Sequence, residues 1–401
     1  MTSDPAIHDE FTDSDIEQWF DEEDQADEEA PATLDPATKY ARSQLRVVRE
    51  TKDYQLDYLR HALQIDRGLI DTAPTYQRRL RWPRKKRSLL IESFLLNIPI
   101  PPVYLFEHDY NEFEVIDGRQ RLESIKAFLA NDFALTGLEY WPELNGLRFN
   151  GLPSVLQKGL LRRSLPAVVL LAETRGADED ELDVRTVLFD RLNTGGVGLN
   201  PQELRNALNP GPLNAMLIRL ARSEVFTEAW GIPAYQEGEE QEPSPALLGN
   251  TLFKSMTDVE LVLRFFAIRD ALAKDRKGSL RRILDDFMKS NAKLDELRVA
   301  ELEAEFLHLL GSLAAVWNSR PFRITGLNRP SRPLYDALMI AFSRNPNLDL
   351  MADAQGIRER LEAALSDAEK YDILVGRGNT IAAIRSRVDL ASEILASGEA
   401  A

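Results

Sequence analysis

The chain has 401 residues, 44% of them hydrophobic, no cysteine and a formal net charge of −16. The missing cysteines exclude disulfides and thiolate metal sites. No apolar run approaches the roughly 18 residues a membrane helix needs, and the length asks for two domains rather than one core.

The charge is unevenly placed. Fourteen acids fall within residues 1–35, which carry no Lys or Arg, and without them the −16 shrinks to −2. Such a block of like charge predicts disorder, so residues 1–38 read as a disordered acidic tail on a near-neutral body. Two roles stay open for it. One is a solubilising tail. The other is a segment that competes with nucleic acid for a basic surface, or docks a partner through Phe11, Ile16, Trp19 and Phe20.

After the tail, Thr51 or Asp53 is placed to cap a helix carrying Leu56, Leu59, Leu63 and Ile65. Seven cations follow within Arg78–Arg87, with Trp82 among them, and Leu89, Leu90, Ile91, Phe94 and Leu95 continue as a helix face. "IPIPP" must end that helix, because a proline disfavours helical backbone in the residue before it. Val103–Phe106 and Phe113–Ile116 read as a strand pair around a loop at His108–Asn111. The second strand runs into Asp117-Gly118 and then an amphipathic helix, "RQRLESIKAFL". A buried strand is expected around Ala167–Leu171 and a helix from about Glu181. Asn193-Thr194-Gly195-Gly196 reads as a helix stop. Asn200, Pro201 and Glu203 read as the cap, first position and third position of the next helix. "YQEGEEQEPSPALLGN" reads as an exposed polar loop, and from about Asp258 onward the apolar spacing is helical throughout.

Three stretches can carry chemistry. A strand, an Asp-Gly turn and a helix start leave backbone N–H groups aimed at one spot, a ready anion site over which Arg119 or Arg121 can close. Read alone, the same turn is equally an aspartate cap followed by a solvated arginine. "YQRRLRW" (Tyr76–Trp82) combines cations and an aromatic ring in the manner of a phosphate-tracking, base-stacking surface, or equally of a positive helix end in solvent. "FDRLNTGG" (Phe189–Gly196) sets Arg191 and Asn193 at a helix end beside glycine amides, or is simply a helix stop.

Taken in order and spacing, "PTYQRRLRWPRKKRSLLIESFLLNIPIPPVYLF", "EVIDGRQRLESIKAFL" and "LFDRLNTGGVGLNPQELRNAL" resemble the N-terminal domain of GmrSD-type restriction endonucleases. That domain is similar to the ParB nuclease and sulfiredoxin superfamily. The likeness is close over about residues 45–210. It implies an α+β fold: a ParB/sulfiredoxin-like, nucleotide-binding domain over 39–205, followed by an all-helical domain over 206–401. The family's Asp-Gly-Gln-Gln-Arg becomes Asp117-Gly118-Arg119-Gln120-Arg121 here, with Arg119 replacing a glutamine. The resemblance implies a nucleoside triphosphate bound at this turn, with Arg121 as the main phosphate contact and Asp117 supporting the turn or a magnesium ion. These two are the candidate catalytic residues. Tyr76, Gln77, Arg78, Arg191 and Asn193 are expected to line the same pocket. DNA contacts are expected from Arg79, Arg81, Trp82, Arg84, Lys85 and Lys86.

The resemblance also implies a place in restriction or phage defence, in the cytoplasm, with a nuclease partner protein. NTP hydrolysis, and direct DNA binding or cleavage by the module itself, stay open. Sulfiredoxin chemistry needs a cysteine and is excluded. A His-Asn-His nuclease half is not expected, since of the four histidines only His308 lies in the C-terminal half.

Overall fold

The computed structural model describes residues 11–24, 48–64, 69–71, 82–109, 111–171, 191, 200–239, 243–324, 329–376 and 378–396. The chain divides into two compact units, Ala32–Leu199 and a second made of Met1–Pro31 with Asn200–Ala401. In chain order the helices named below are α1 (Asp13–Asp21), α2 (Leu56–Ala62), α3 (Arg84–Leu95), α4 (Arg119–Leu129), α5 (Ser154–Leu161), α6 (Pro201–Leu208) and α7 (Pro212–Ala221).

The first unit is a five-stranded mixed sheet with helices. Its strands are β1 (Arg49–Gln55), β2 (Ile70–Asp71), β3 (Val103–Asp109), β4 (Glu112–Asp117) and β5 (Ser164–Leu170), in the order β1-β5-β3-β4-β2. β3 and β4 form the expected antiparallel hairpin, turning at Asn111 with φ 60°. β5 returns parallel to β3, and β1 closes one edge antiparallel to β5. Leu105, Leu122, Ile125, Phe128, Leu165, Ala167 and Val169 are fully buried in one core. The architecture is therefore α+β, and the elements described after this unit are helices, the last of them Ile381–Leu395.

β1 corrects the sequence reading. Thr51 and Asp53 lie within a strand, and the helix starts only at Leu56. "RETKDYQ" shows no apolar alternation because this edge strand is largely exposed. Its pairing partner β5, more than 100 residues away, decides its state.

Buried polar contacts lock the long connection after α4 onto α3. Glu92 is almost fully buried, and its carboxylate accepts backbone N–H bonds from Tyr140 (2.9 Å), Trp141 (2.8 Å) and Glu139 (3.2 Å). Ser88 Oγ accepts from the Thr136 N–H at 3.0 Å. Glu92→Ala strands three amide donors at once. It is expected to cost about 2–4 kcal/mol of stability, read as a lowered urea midpoint at unchanged slope.

In the second unit Asn200 caps α6 as its sequence says. Asn200 Oδ1 accepts from Glu203 N, the Glu203 carboxylate accepts from Asn200 N, and Pro201 is at the first position. The unit's core is fully buried around Phe226, Phe265, Phe306, Leu338 and Ile384. Charge is buried there too. Arg264 and Asp336 are both 0% exposed and pair through two bonds. The polar stretch expected as an exposed loop is anchored: Glu239 is buried and takes two bonds from Arg222 (2.6 and 2.9 Å). His308 is exposed on a helix, with its ring 3.3 Å from the Pro346 carbonyl.

Residues 11–24 also differ from expectation. This part of the acidic stretch is folded: Thr12 and Asp15 form a capping box at α1, and Phe11, Ile16 and Phe20 are buried against the helical unit. Patterning by charge alone missed it, because the cations that neutralise it lie more than 180 residues downstream.

Candidate functional site

The turn between β4 and α4 is dictated by Gly118. Its φ of +95° is left-handed backbone, a region costly for residues with a Cβ. A Cβ here would sit 2.3 Å from Val103 Cγ1 and 2.9 Å from Arg121 Nη2, so the Arg121 guanidinium lies directly over the glycine. No side chain caps α4 and its first turn carries no acid. Uncapped amides and the helix dipole make this end attractive to an anion.

The two arginines are not idle cations. Arg121 Nη2 donates to Asp117 Oδ2 (2.8 Å) and to the Pro102 carbonyl (3.3 Å). Arg119 Nε donates to Glu123 Oε1 at 2.6 Å. Two carboxylates, one four residues before and one four residues after, thus offset the charge that Arg119 and Arg121 bring to a positive helix end. One donor is left over: Arg121 Nε is buried and, among the described residues, has no hydrogen-bond partner, an uncommon state for a charged side chain.

The pattern of five residues is brought together, though not as five equal ligands. Gln120 is buried, and its Oε1 accepts the Trp82 backbone N–H at 3.0 Å. It ties the chain entering α3 to the start of α4, a role the pattern alone did not suggest. Tyr76, Gln77, Arg78, Arg79, Arg81 and Asn193 lie outside the described residues, and Arg191 is exposed in a helical residue whose sequence neighbours lie outside them too.

The basic cluster is also partly engaged. Trp82 is half-buried against the core, with Lys86 Nζ 4.4 Å from its ring centre, so its ring is not an open stacking platform. Arg87 covers Phe133 at 4.3 Å, and Lys85 pairs with Glu139 at 3.5 Å. Arg84, Lys85 and Lys86 remain exposed in the first turn of α3, which holds no acid.

The donor set tests the expected magnesium. Asp117 and Glu123 are each already bonded to an arginine. Among the described residues no group of three or more His, Cys, Asp or Glu side chains could hold a metal ion. The turn fits an anion better than a protein-held divalent cation. No described helix is long and apolar enough to cross a membrane.

No curated protein and no solved structure matches the chain. Residues 59–209 match the family described as GmrSD restriction endonuclease, N-terminal domain, and this part of the chain is a member of it.

Proposed function

We propose that the α+β unit, as a ParB/sulfiredoxin-like domain, binds a nucleoside triphosphate at the Asp117–Arg121 turn, and that the protein serves a DNA restriction system directed against phage. The observation that carries the site is the Arg121 guanidinium folded over Gly118 beside the uncapped start of α4. A terminal phosphate there meets backbone amides and a guanidinium together, the pairing that binds phosphate most strongly. Asp117 holds Arg121 in place, and the unpartnered Arg121 Nε is the donor a phosphate oxygen would satisfy. Magnesium enters only as a companion of the phosphates, which is how it ordinarily binds. Gln77, Arg78 and Asn193 belong to the proposed pocket through the family pattern. Cutting of DNA falls to a nuclease partner protein.

The test is thermal unfolding of the whole chain with ATP, GTP, CTP, UTP and their deoxy forms, with and without magnesium. A nucleotide at a hundredfold excess over its dissociation constant raises stability by about 2.7 kcal/mol. Arg121→Ala is expected to weaken binding by about 1.5–3 kcal/mol through loss of a charge-assisted contact. A variant that binds every nucleotide as tightly as the unaltered chain would sink the proposal.

A second reading rests on the exposed Arg84, Lys85 and Lys86: α3 follows a DNA backbone directly. It predicts affinity that collapses between 50 and 200 mM salt, by orders of magnitude if about six or more phosphates are contacted. A small phosphate pocket loses far less.

A further inference from the structure

The acidic segment is seated in a groove of complementary charge. Five of its carboxylates meet cations of the helical unit: Asp13 with Lys254 (3.2 Å), Asp15 with Arg329 (3.0 Å), Glu22 with Arg332 (2.7 Å), Glu23 with Arg205 (2.7 Å) and Asp24 with Arg281 (3.3 Å). The floor of the groove is apolar. Phe11, Ile16 and Phe20 are buried in it, Phe11 lies 6.3 Å from Trp230, and Arg332 lies 4.7 Å above Trp19. A polyphosphate chain would satisfy the rim and leave this floor empty. The shape and chemistry suit an acidic amphipathic helix.

The segment has little reason to be helical by itself. α1 is nine residues long, ends in acids and has no cation in its last turn. That is too short to persist alone, and negative charge opposes the dipole at that end. Its order therefore depends on docking. The docking is done largely by side chains: beside the ion pairs, Asn379 Nδ2 donates to Glu22 Oε2 (3.3 Å) and Arg332 Nη1 donates to the Trp19 carbonyl. A cleft of about 220 Å³ runs along one side, between Phe11, Trp19, Arg329 and Tyr371, where a permanent core element would be close-packed.

We propose that residues 11–24 are a releasable strap, and that the groove beneath them is a receptor for an acidic amphipathic helix, filled here by the chain's own segment and open on release to a partner helix of the same chemistry. Buried charge tunes the hold. Glu23 and Glu260 share Arg205, at 2.7 and 3.4 Å. Burial and the neighbouring Glu23 push the Glu260 carboxyl well above its ordinary value. Arg332, desolvated and close to Arg264, has its pKa lowered to about 10. An empty groove would leave Arg205 and Arg332 short of an acid each. Another acidic helix can supply both.

Hydrogen exchange on the full chain tests release. The amides of Ile16–Glu23 are expected to exchange together, at least about tenfold faster than those of the buried helix through Val259–Ile268, and faster again in 0.5 M salt. Exchange of both sets at one rate, that of global unfolding, would make the segment a permanent core element and end the proposal. The groove is tested with the full chain carrying Asp15→Lys and Glu22→Lys, probed by a synthetic peptide of residues 9–26. The variant is expected to bind it one to one, at least about tenfold more tightly than the unaltered chain does, and to ignore a scrambled peptide. A folded variant with a released segment that binds no peptide overturns the receptor reading. Should the variant not fold, exchange on the unaltered chain decides alone. Neither result depends on nucleotide binding in the other unit.

Discussion

Asp336→Asn is expected to destabilise the helical unit by about 3–5 kcal/mol, because it leaves the Arg264 guanidinium fully buried beside a neutral partner. For a unit of this size that is a fall of roughly 6–20 °C in melting temperature. The surroundings predict how the deficit varies with pH. The charged and titratable neighbours of Arg264 include Asp336, Glu260 and Glu23, with Arg332, Arg387 and Tyr335 also close by. In the unaltered protein Glu260 holds its proton well above the ordinary carboxyl range, owing to burial and then Glu23. The folded state therefore binds more protons than the unfolded one above the ordinary glutamate value, and stability falls as pH rises from there toward the folded pKa. In the variant the stranded Arg264 draws Glu260 into its ionised form, and that fall is largely removed. The gap between the two proteins should then narrow as pH rises. Urea melts at pH 5 and pH 8 read both numbers, and a gap that widens with pH would refute this account of Glu260. Replacing the pair together, Arg264→Met with Asp336→Leu, is expected to be near neutral or stabilising, since no unpaired charge remains.

Gly118→Ala carries the second large effect. Left-handed backbone costs a residue with a Cβ about 1–2 kcal/mol, and forcing that Cβ against buried Val103 adds about 1–3 kcal/mol of overpacking. Val103 belongs to β3 and is 1% exposed, so it cannot swing away. The same atom displaces the Arg121 guanidinium, 2.9 Å away. Under the proposed function the variant should lose nucleotide affinity as well as stability. Gly146 is the matched control: its φ is +85°, but nothing lies within 4 Å of the position its Cβ would take. Gly146→Ala should show the backbone cost alone and leave ligand binding intact. Equal losses in the two variants, by chemical denaturation, would mean that the close contact with Val103 and Arg121 contributes nothing.

The strands and helices that the sequence announced are those whose cues are local. Asn200-Pro201 with Glu203 carries its own cap chemistry, and "IPIPP" ends α3 whatever surrounds it. The apolar runs at Val103–Phe106 and Phe113–Ile116 pair across a short turn and need no distant partner. β1 has no such cue. It is a polar edge whose state is decided by β5.

The candidate turn divides in the same way. Asp117-Gly118 and the arginines that follow were legible because a left-handed glycine between strand and helix is a local necessity. That Arg119 turns to Glu123, that Gln120 reaches back to Trp82, and that Lys86 covers the Trp82 ring depends on side-chain packing. A one-dimensional pattern cannot rank those partners.

By itself, then, the sequence determined the two-part division into a mixed α/β region and a helical one, the turn at Gly118 and the charge asymmetry of the N-terminal stretch. Tertiary structure alone decided what that charge is for. Carboxylates at positions 13 to 24 meet cations at positions 205 to 332. The reason is physical: helix caps and turns are set by interactions a few residues apart, whereas a buried charge is tolerable only beside its counter-charge, and folding, not sequence proximity, supplies that neighbour.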